Sequence, residues 1–210
     1  MYVPAMFSLT DAEAIRALMR ARPFATVIST GADGAAMISH VPLIHEEDGS
    51  ADGILIGHLA RANPHQRLFD GKPVVAVFHG ANAYISPTWY ESADMVPTWN
   101  YQAVHAHGVP VPVADDHAAL EIVAKLSAYF EAGLPKPWTI DKMAPGKALA
   151  MMKGITAFTM KVTRFEGKSK LGQNRTPADQ RGAGEALLAR PGADDRAIGA
   201  LMRDAAAARS

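Results

Sequence analysis

The sequence predicts an α+β protein built on a small antiparallel barrel of six or seven strands with peripheral helices. Short β-rich runs alternate with turn signals, as in FATVIST, GADG and AAMISHVPLIH over residues 24–45. Two hairpins in about forty residues argue for an antiparallel sheet or barrel, and apolar residues recur at helical spacing in a few separate segments.

The elements follow in chain order. Thr10 and Glu13 form a capping box, and Ala14, Ile15, Leu18 and Met19 come after it at helical spacing. A helix is therefore expected over 11–22, ended by Pro23. Strands are expected over 24–30, 36–45 and 54–59, with EEDGSADG as a polar loop before the third. Asn63 caps a short helix whose first position is Pro64, where the missing N–H costs nothing. Two further strands are expected at 74–78 and 83–85, and another at 101–113. Residues 117–133 read as a helix through Leu120, Val123, Leu126 and Phe130, with Gly133 as its C-terminal cap. A last strand over 155–165 and helices over 177–190 and 194–209 complete the chain.

Composition narrows the function classes. With 210 residues, 49% of them hydrophobic, the chain can bury one substantial core. Lys+Arg and Asp+Glu each total 21, so the whole chain exerts no electrostatic pull on nucleic acid or anionic lipid. The absence of cysteine excludes disulfides, thiolate nucleophiles and Cys-based metal sites, and suits a cytoplasmic location. MYVPAMFSLTDAEA reads as neither signal peptide nor anchor, and no membrane span is expected.

Three stretches carry candidate chemistry. In GHLARANPH, residues 57–65, a strand bearing His58 runs through Arg61 into a helix start at Asn63. A guanidinium beside helix N–H groups suits a phosphate, and the same residues also read as a surface arginine and a routine cap. In GKSKLGQNR, residues 167–175, Lys168, Lys170, Gln173, Asn174 and Arg175 supply donors for an anion or a polar heterocycle edge, or form a solvated basic loop after the last strand. The third stretch, ISPTWYESADMVPTWNY over 85–101, spells Pro-Thr-Trp twice and suits a flat aromatic ligand, a subunit interface or ordinary core packing. His105 and His107 share a strand face, but no HExxH pattern accompanies them, and no metal site is expected. GxSxG, GxGxxG and Walker patterns are absent.

Six segments in register resemble one family, the PaiB-like FMN-binding negative transcriptional regulators: MYVPAMF, ISHVPL, GHLARANPH, FHGANAYISPTWY, VPTWNYQAVHAHG and KLGQNR. The resemblance implies an FMN-binding split β-barrel of the kind shared with pyridoxamine-phosphate oxidases and flavin reductases. It would occupy 1–175, with 176–210 a C-terminal helical extension packed on the same domain. It also implies a homodimer with FMN at the interface. Ser39, His40, His58, Arg61 and Asn63 would then line the phosphate and ribityl side. Trp99, Asn100 and Tyr101 would lie near the flavin or the dimer seam, and Lys170, Gln173, Asn174 and Arg175 would close the site. This chain has Gln66 where the family often has an aromatic, and Gly172 where it often has serine.

The function so implied is flavin-linked transcriptional regulation. DNA contact would fall to a local patch of Lys161, Arg164, Lys168, Lys170, Arg175 and Arg181. The alternatives are an FMN-dependent oxidoreductase or flavin reductase and, more distantly, a heme-binding split barrel.

Overall fold

A computed structural model describes residues 1–69 and 71–209. Its strands are β1 (Ser8–Leu9), β2 (Phe24–Thr30), β3 (Ala36–Pro42), β4 (Ile44–Glu46), β5 (Ile54–Ala60), β6 (Val74–Ile85), β7 (Thr98–Pro112) and β8 (Ile155–Lys170). They form one sheet in the order β3-β2-β6-β7-β8-β5-β4, with β1 paired to β8. The helices are α1 (Ala12–Ala21), α2 (Asp116–Glu131), α3 (Lys147–Met151), α4 (Pro177–Leu188) and α5 (Ala193–Ala207). The expected α+β class and antiparallel pairing are both present.

Three differences from expectation have physical reasons. The strands expected at 74–78 and 83–85 are one continuous β6. Gly80 joins them rather than breaking them, because a Cβ there would stand 2.7 Å from the Cβ of Gln102 on β7. Burial shifts from even positions at 74, 76 and 78 to odd positions at 81, 83 and 85, which hides the strand from a period-two reading. β8 runs five residues past the expected end, so 167–170 is strand and not loop. On α2 the fully buried positions are Ala119, Ile122 and Leu126, while Phe130 is exposed. The helix turns Ala119, Ile122 and Leu126 to Ile44, Ile56 and Ala157 of the sheet and leaves its terminal aromatic outside, a choice that hydrophobicity alone does not rank.

By its internal contacts the chain forms two compact units, the first Met1–Leu18, His79–Val104 and Glu166–Ser210, the second Met19–Phe78 and His105–Phe165. In the second unit, β2 and β3 pair in full register from Phe24↔Pro42 to Thr30↔Ala36 across a turn at Gly34, whose φ of 80° favours glycine. β5 pairs with β8 from Ile54↔Lys161 to Ala60↔Ile155. Phe78 and Phe158 are essentially inaccessible there. A full burial of that size stabilises by about 1.5–3 kcal/mol per ring. Ile44, Ile56 and Ala157 meet Ala119, Ile122 and Leu126 of α2 in a separate apolar cluster.

In the first unit, Ala81, Ala83 and Ile85 of β6 pack with Leu171, Ala183, Leu187, Ile198 and Met202, so α4 and α5 cover this part of the sheet. Thr176 caps α4 through the N–H of Asp179 at 3.1 Å, with Pro177 next to it. α4 and α5 approach closely where Gly184 faces Gly199, since a Cβ on Gly199 would lie 2.7 Å from the Gly184 carbonyl oxygen.

A Cβ at Gly108 of β7 would collide with the backbone carbonyl of Lys161, which can yield only by moving β8. Gly108→Ala is expected to destabilise by about 1–3 kcal/mol in urea unfolding. Gly154→Ala, where a Cβ meets nothing within 4 Å, is expected to change stability by less than about 0.5 kcal/mol.

Candidate functional site

Ser39, His40, His58, Arg61 and Asn63 lie in the second unit. Asn63 starts a single turn over Pro64–Leu68, accepting the N–H of His65 on its Oδ1 at 2.9 Å. Its Nδ2 donates to Ser39 Oγ at 3.0 Å. Ser39 Oγ lies 2.8 Å from His65 Nδ1, and the other ring nitrogen of His65 lies 2.8 Å from Ser29 Oγ. Both imidazole nitrogens are thus satisfied by hydroxyl groups, in a ring that is 0% exposed and packs on Phe69 at 5.5 Å. His65 was not among the expected site residues. It belongs to the quoted ANPH motif, but no spacing in the sequence says that it reaches back to β2 and β3.

Side chains alternate along a strand, so Ser39 and His40 face opposite sides of β3. Ser39 is buried in the network with His65. His40 is exposed, with Nδ1 3.0 Å from Thr26 Oγ1 and its ring stacked on Phe24 at 6.3 Å. His58 pairs with Ala157 and alternates onto the same face of β5 as Ile56, both members of the cluster that α2 covers. Its Nδ1 is buried without a partner, and burial lowers its pKa, so the ring is neutral. Arg61 donates from Nε to the carbonyl of Lys153 at 2.8 Å and from Nη2 to that of Met152 at 3.5 Å. Gln66 hydrogen-bonds the Arg61 carbonyl and the Thr156 hydroxyl, which gives this amide a structural role.

Trp99, Asn100, Tyr101, Lys170, Gln173, Asn174 and Arg175 lie in the first unit. Alternation sends Trp99 and Tyr101 to one side of β7 and Asn100 to the other. Trp99 is 54% exposed and meets the half-exposed Tyr84 edge to face at 6.3 Å. Asn100 is buried, with Nδ2 donating to Met202 Sδ at 3.2 Å and Oδ1 without a partner. The other Pro-Thr-Trp, at 87–89, is a single helical turn whose Trp89, with Tyr90, packs on the α4 and α5 cluster. Identical tripeptides therefore supply core packing in one place and exposed aromatic surface in the other.

Lys168 is a strand residue with only 7% exposure, and not part of a solvated loop. Its ammonium donates to the Tyr2 carbonyl at 3.1 Å and stands 5.0 Å from the centre of the Tyr101 ring. Lys170, on the same side of β8, donates to Thr98 Oγ1 at 2.6 Å and to the Trp99 carbonyl at 2.7 Å. Burial, then the positive charges of Lys168 and Arg175, lower the pKa of Lys170. Arg175 reaches Met95 Sδ at 2.9 Å and lies 5.5 Å from the Tyr90 ring. Gln173 bridges the Leu171 N–H and the Ser169 carbonyl, closing the turn in which Gly172 has φ 83°. Gly172 thus sits at a left-handed backbone position that glycine takes without strain. Asn174 is exposed.

Cations without a carboxylate, beside half-exposed aromatic rings, suit a flat ligand that carries an anionic group. With the α+β antiparallel fold, such a surface fits a flavin-binding split barrel. Solved structures support the fold alone. The flavocytochrome Anf3 from Azotobacter vinelandii aligns with a TM-score of 0.62 at 15% identity, over 79% of this chain and 70% of that one. The FAD and heme binding protein from Mycobacterium smegmatis aligns with a TM-score of 0.58 at 17% identity, over 79% and 74%.

In sequence, residues 1–164 match the family described as "Putative FMN-binding domain". The protease synthase and sporulation protein PAI 2 of Bacillus subtilis (strain 168) is 35% identical over 97% of both chains. The chain belongs to this PaiB-like FMN-binding family, and its cofactor is FMN. Among the described residues no helix is long and apolar enough to cross a membrane.

Burial lowers the pKa of His65 as well as that of His58. As pH falls, the unfolded chain therefore binds protons before the folded one does. The stability these rings contribute is complete above the unfolded value of about 6.5 and is lost as pH drops from there toward their folded values. Urea unfolding of the wild type should weaken between about pH 7.5 and 5.5, and His65→Asn should show a smaller loss over that range. The substitution itself is expected to cost about 1–3 kcal/mol at the higher pH, by leaving serine hydroxyls unpaired.

Proposed function

We propose that the chain is an FMN-binding regulator of gene expression, working as a homodimer in which FMN at the subunit interface is the ligand or redox sensor. The observation that carries this reading is the relationship over 97% of both chains to a protein named for protease synthesis and sporulation. FMN supplies electron-transfer chemistry that amino-acid side chains lack. The chain's own part is to bind and orient it. Trp99 and Tyr101 offer ring faces, and Lys170 and Arg175 offer positive charge.

Each unit also shows apolar side chains suited to a subunit interface. Phe24 and Ile38 are exposed in the second, and Tyr84 and Trp99 in the first. The basic patch expected to meet DNA is smaller than its sequence implies, because Lys168 is buried. Any DNA contact falls to the exposed members, Lys161 and Arg164 in the second unit and, separately, Arg181 in the first.

Direct DNA binding is tested by titrating promoter fragments against salt with FMN-loaded and FMN-free protein. The regulator reading expects an affinity that differs between the two forms and weakens with salt. Undetectable binding by both at about 50 mM salt removes direct DNA contact.

An FMN-dependent oxidoreductase is the second reading, favoured by His58, a ring kept neutral by burial whose unpartnered Nδ1 is open to a further hydrogen bond. It expects NADH or NADPH to bleach the flavin absorbance of the loaded protein, and His58→Gln to slow that bleaching at least about tenfold.

A further inference from the structure

We propose that Lys170 is a nucleophilic amine that captures a small aldehyde bearing an anionic group as an imine. This reactivity does not rest on the regulator reading, and it is separate from whatever the bound flavin does.

Hydrogen bonding is the first argument. Lys170 Nζ donates to Thr98 Oγ1 at 2.6 Å and to the Trp99 carbonyl at 2.7 Å. An ammonium has three N–H donors, whereas the neutral amine has two and a lone pair. Two acceptors therefore satisfy the amine in full and direct its lone pair away from both. The ammonium would keep one N–H that no acceptor among the described residues takes up.

Charge is the second. Lys168 lies two residues earlier on the same side of β8 and is more than nine-tenths buried. Among the described residues neither Lys168, Lys170 nor Arg175 is paired with a carboxylate, and their partners are carbonyls, a hydroxyl, sulfur and rings. The buried carboxylate of Asp179 is taken by the N–H groups of Glu91 and Ser92, and Glu166 pairs with the N-terminal ammonium. Burial and the two neighbouring positive charges accordingly make Lys170 release its proton more readily than an ordinary lysine. The same two cations attract an anion, so the carbonyl compound favoured here carries one.

Access and chemistry agree. Lys170 is half-buried, and Trp99, whose carbonyl holds it, is 54% exposed, so a small molecule reaches the amine from solvent. The nitrogen lone pair attacks the carbonyl carbon, forming the C–N bond as the C=O π pair moves to oxygen. One amine proton passes to that oxygen, with the Thr98 hydroxyl placed to relay it, and a carbinolamine results. A further proton from water lets the oxygen depart as water while the nitrogen pair closes the C=N bond. The iminium so formed keeps one N–H for the Trp99 carbonyl, and nothing is oxidised or reduced.

The test incubates FMN-loaded protein with glyoxylate and cyanoborohydride near neutral pH and maps the trapped carboxymethyl-lysines by mass spectrometry, with flavin absorbance followed alongside so that loss of FMN reads separately. Lys170 is expected to be labelled at least about tenfold faster than the exposed Lys136. With propionaldehyde, which carries no charge, that ratio should shrink. Arg175→Met should lower the ratio with glyoxylate at least about threefold and move the pH dependence of Lys170 labelling upward, because losing a neighbouring positive charge raises the pKa of the amine. Lys168→Met should act in the same direction, and Arg175→Met decides the matter if that variant does not fold. Labelling of Lys170 no faster than that of Lys136 would overturn the proposal, as would a ratio that Arg175→Met leaves unchanged. An equal ratio with propionaldehyde would overturn the preference for an anion.

Discussion

β8 runs sixteen residues without a break, and its backbone hydrogen bonds leave no freedom over which way each side chain points. Seven successive residues pair with β5, and its far end pairs with β1 at Ser8↔Lys168 and Leu9↔Gly167. Phe158 and Met160 are thereby fixed inside the second unit, while Lys168 is committed to burial in the first. Gly167 is part of the same constraint, because any Cβ there would strike the Leu9 carbonyl. The cationic surface is a consequence of strand pairing: once the ladder is set, the lysine ammonium groups go where alternation sends them.

In the second unit one set of buried polar groups is closed on itself, with Asn63, Ser39, His65 and Ser29 linked in a chain that leaves both nitrogens of His65 satisfied, whereas His58 Nδ1 has no partner. A network of that kind positions a turn and holds β2 and β3 in place, and has little to offer a ligand. In the first unit the lysines keep donors to spare, and Asn100 keeps an unpaired oxygen. Spare lysine donors next to exposed aromatic surface are the more informative signature of binding.

Much of the architecture was legible because local chemistry and tertiary fold agree. The capped turn at Asn63 and Pro64, the β2 strand at 24–30 and the Gly133 cap, with φ 86°, all follow from one or a few neighbouring residues. Family membership was readable for a related reason: its motifs record many such local requirements in one order. The continuity of β6 was not readable, because the close approach of β7 to Gly80 is a fact about a partner twenty-two residues away. Nor was α3, since five residues are too few to show a period.

The sequence by itself determined the class, the family and its cofactor, and which residue types stood ready for an anion and a flat ring. Tertiary structure decided which of them are available. Alternation separated Ser39 from His40 and Asn100 from its aromatic neighbours. Backbone carbonyls from a distant segment took two of the five donors of Arg61, and strand pairing carried Lys168 out of water. The reason is the same in each case: a side chain's donors are counted only after the chain has brought their competitors alongside, and those competitors lie up to 166 residues away.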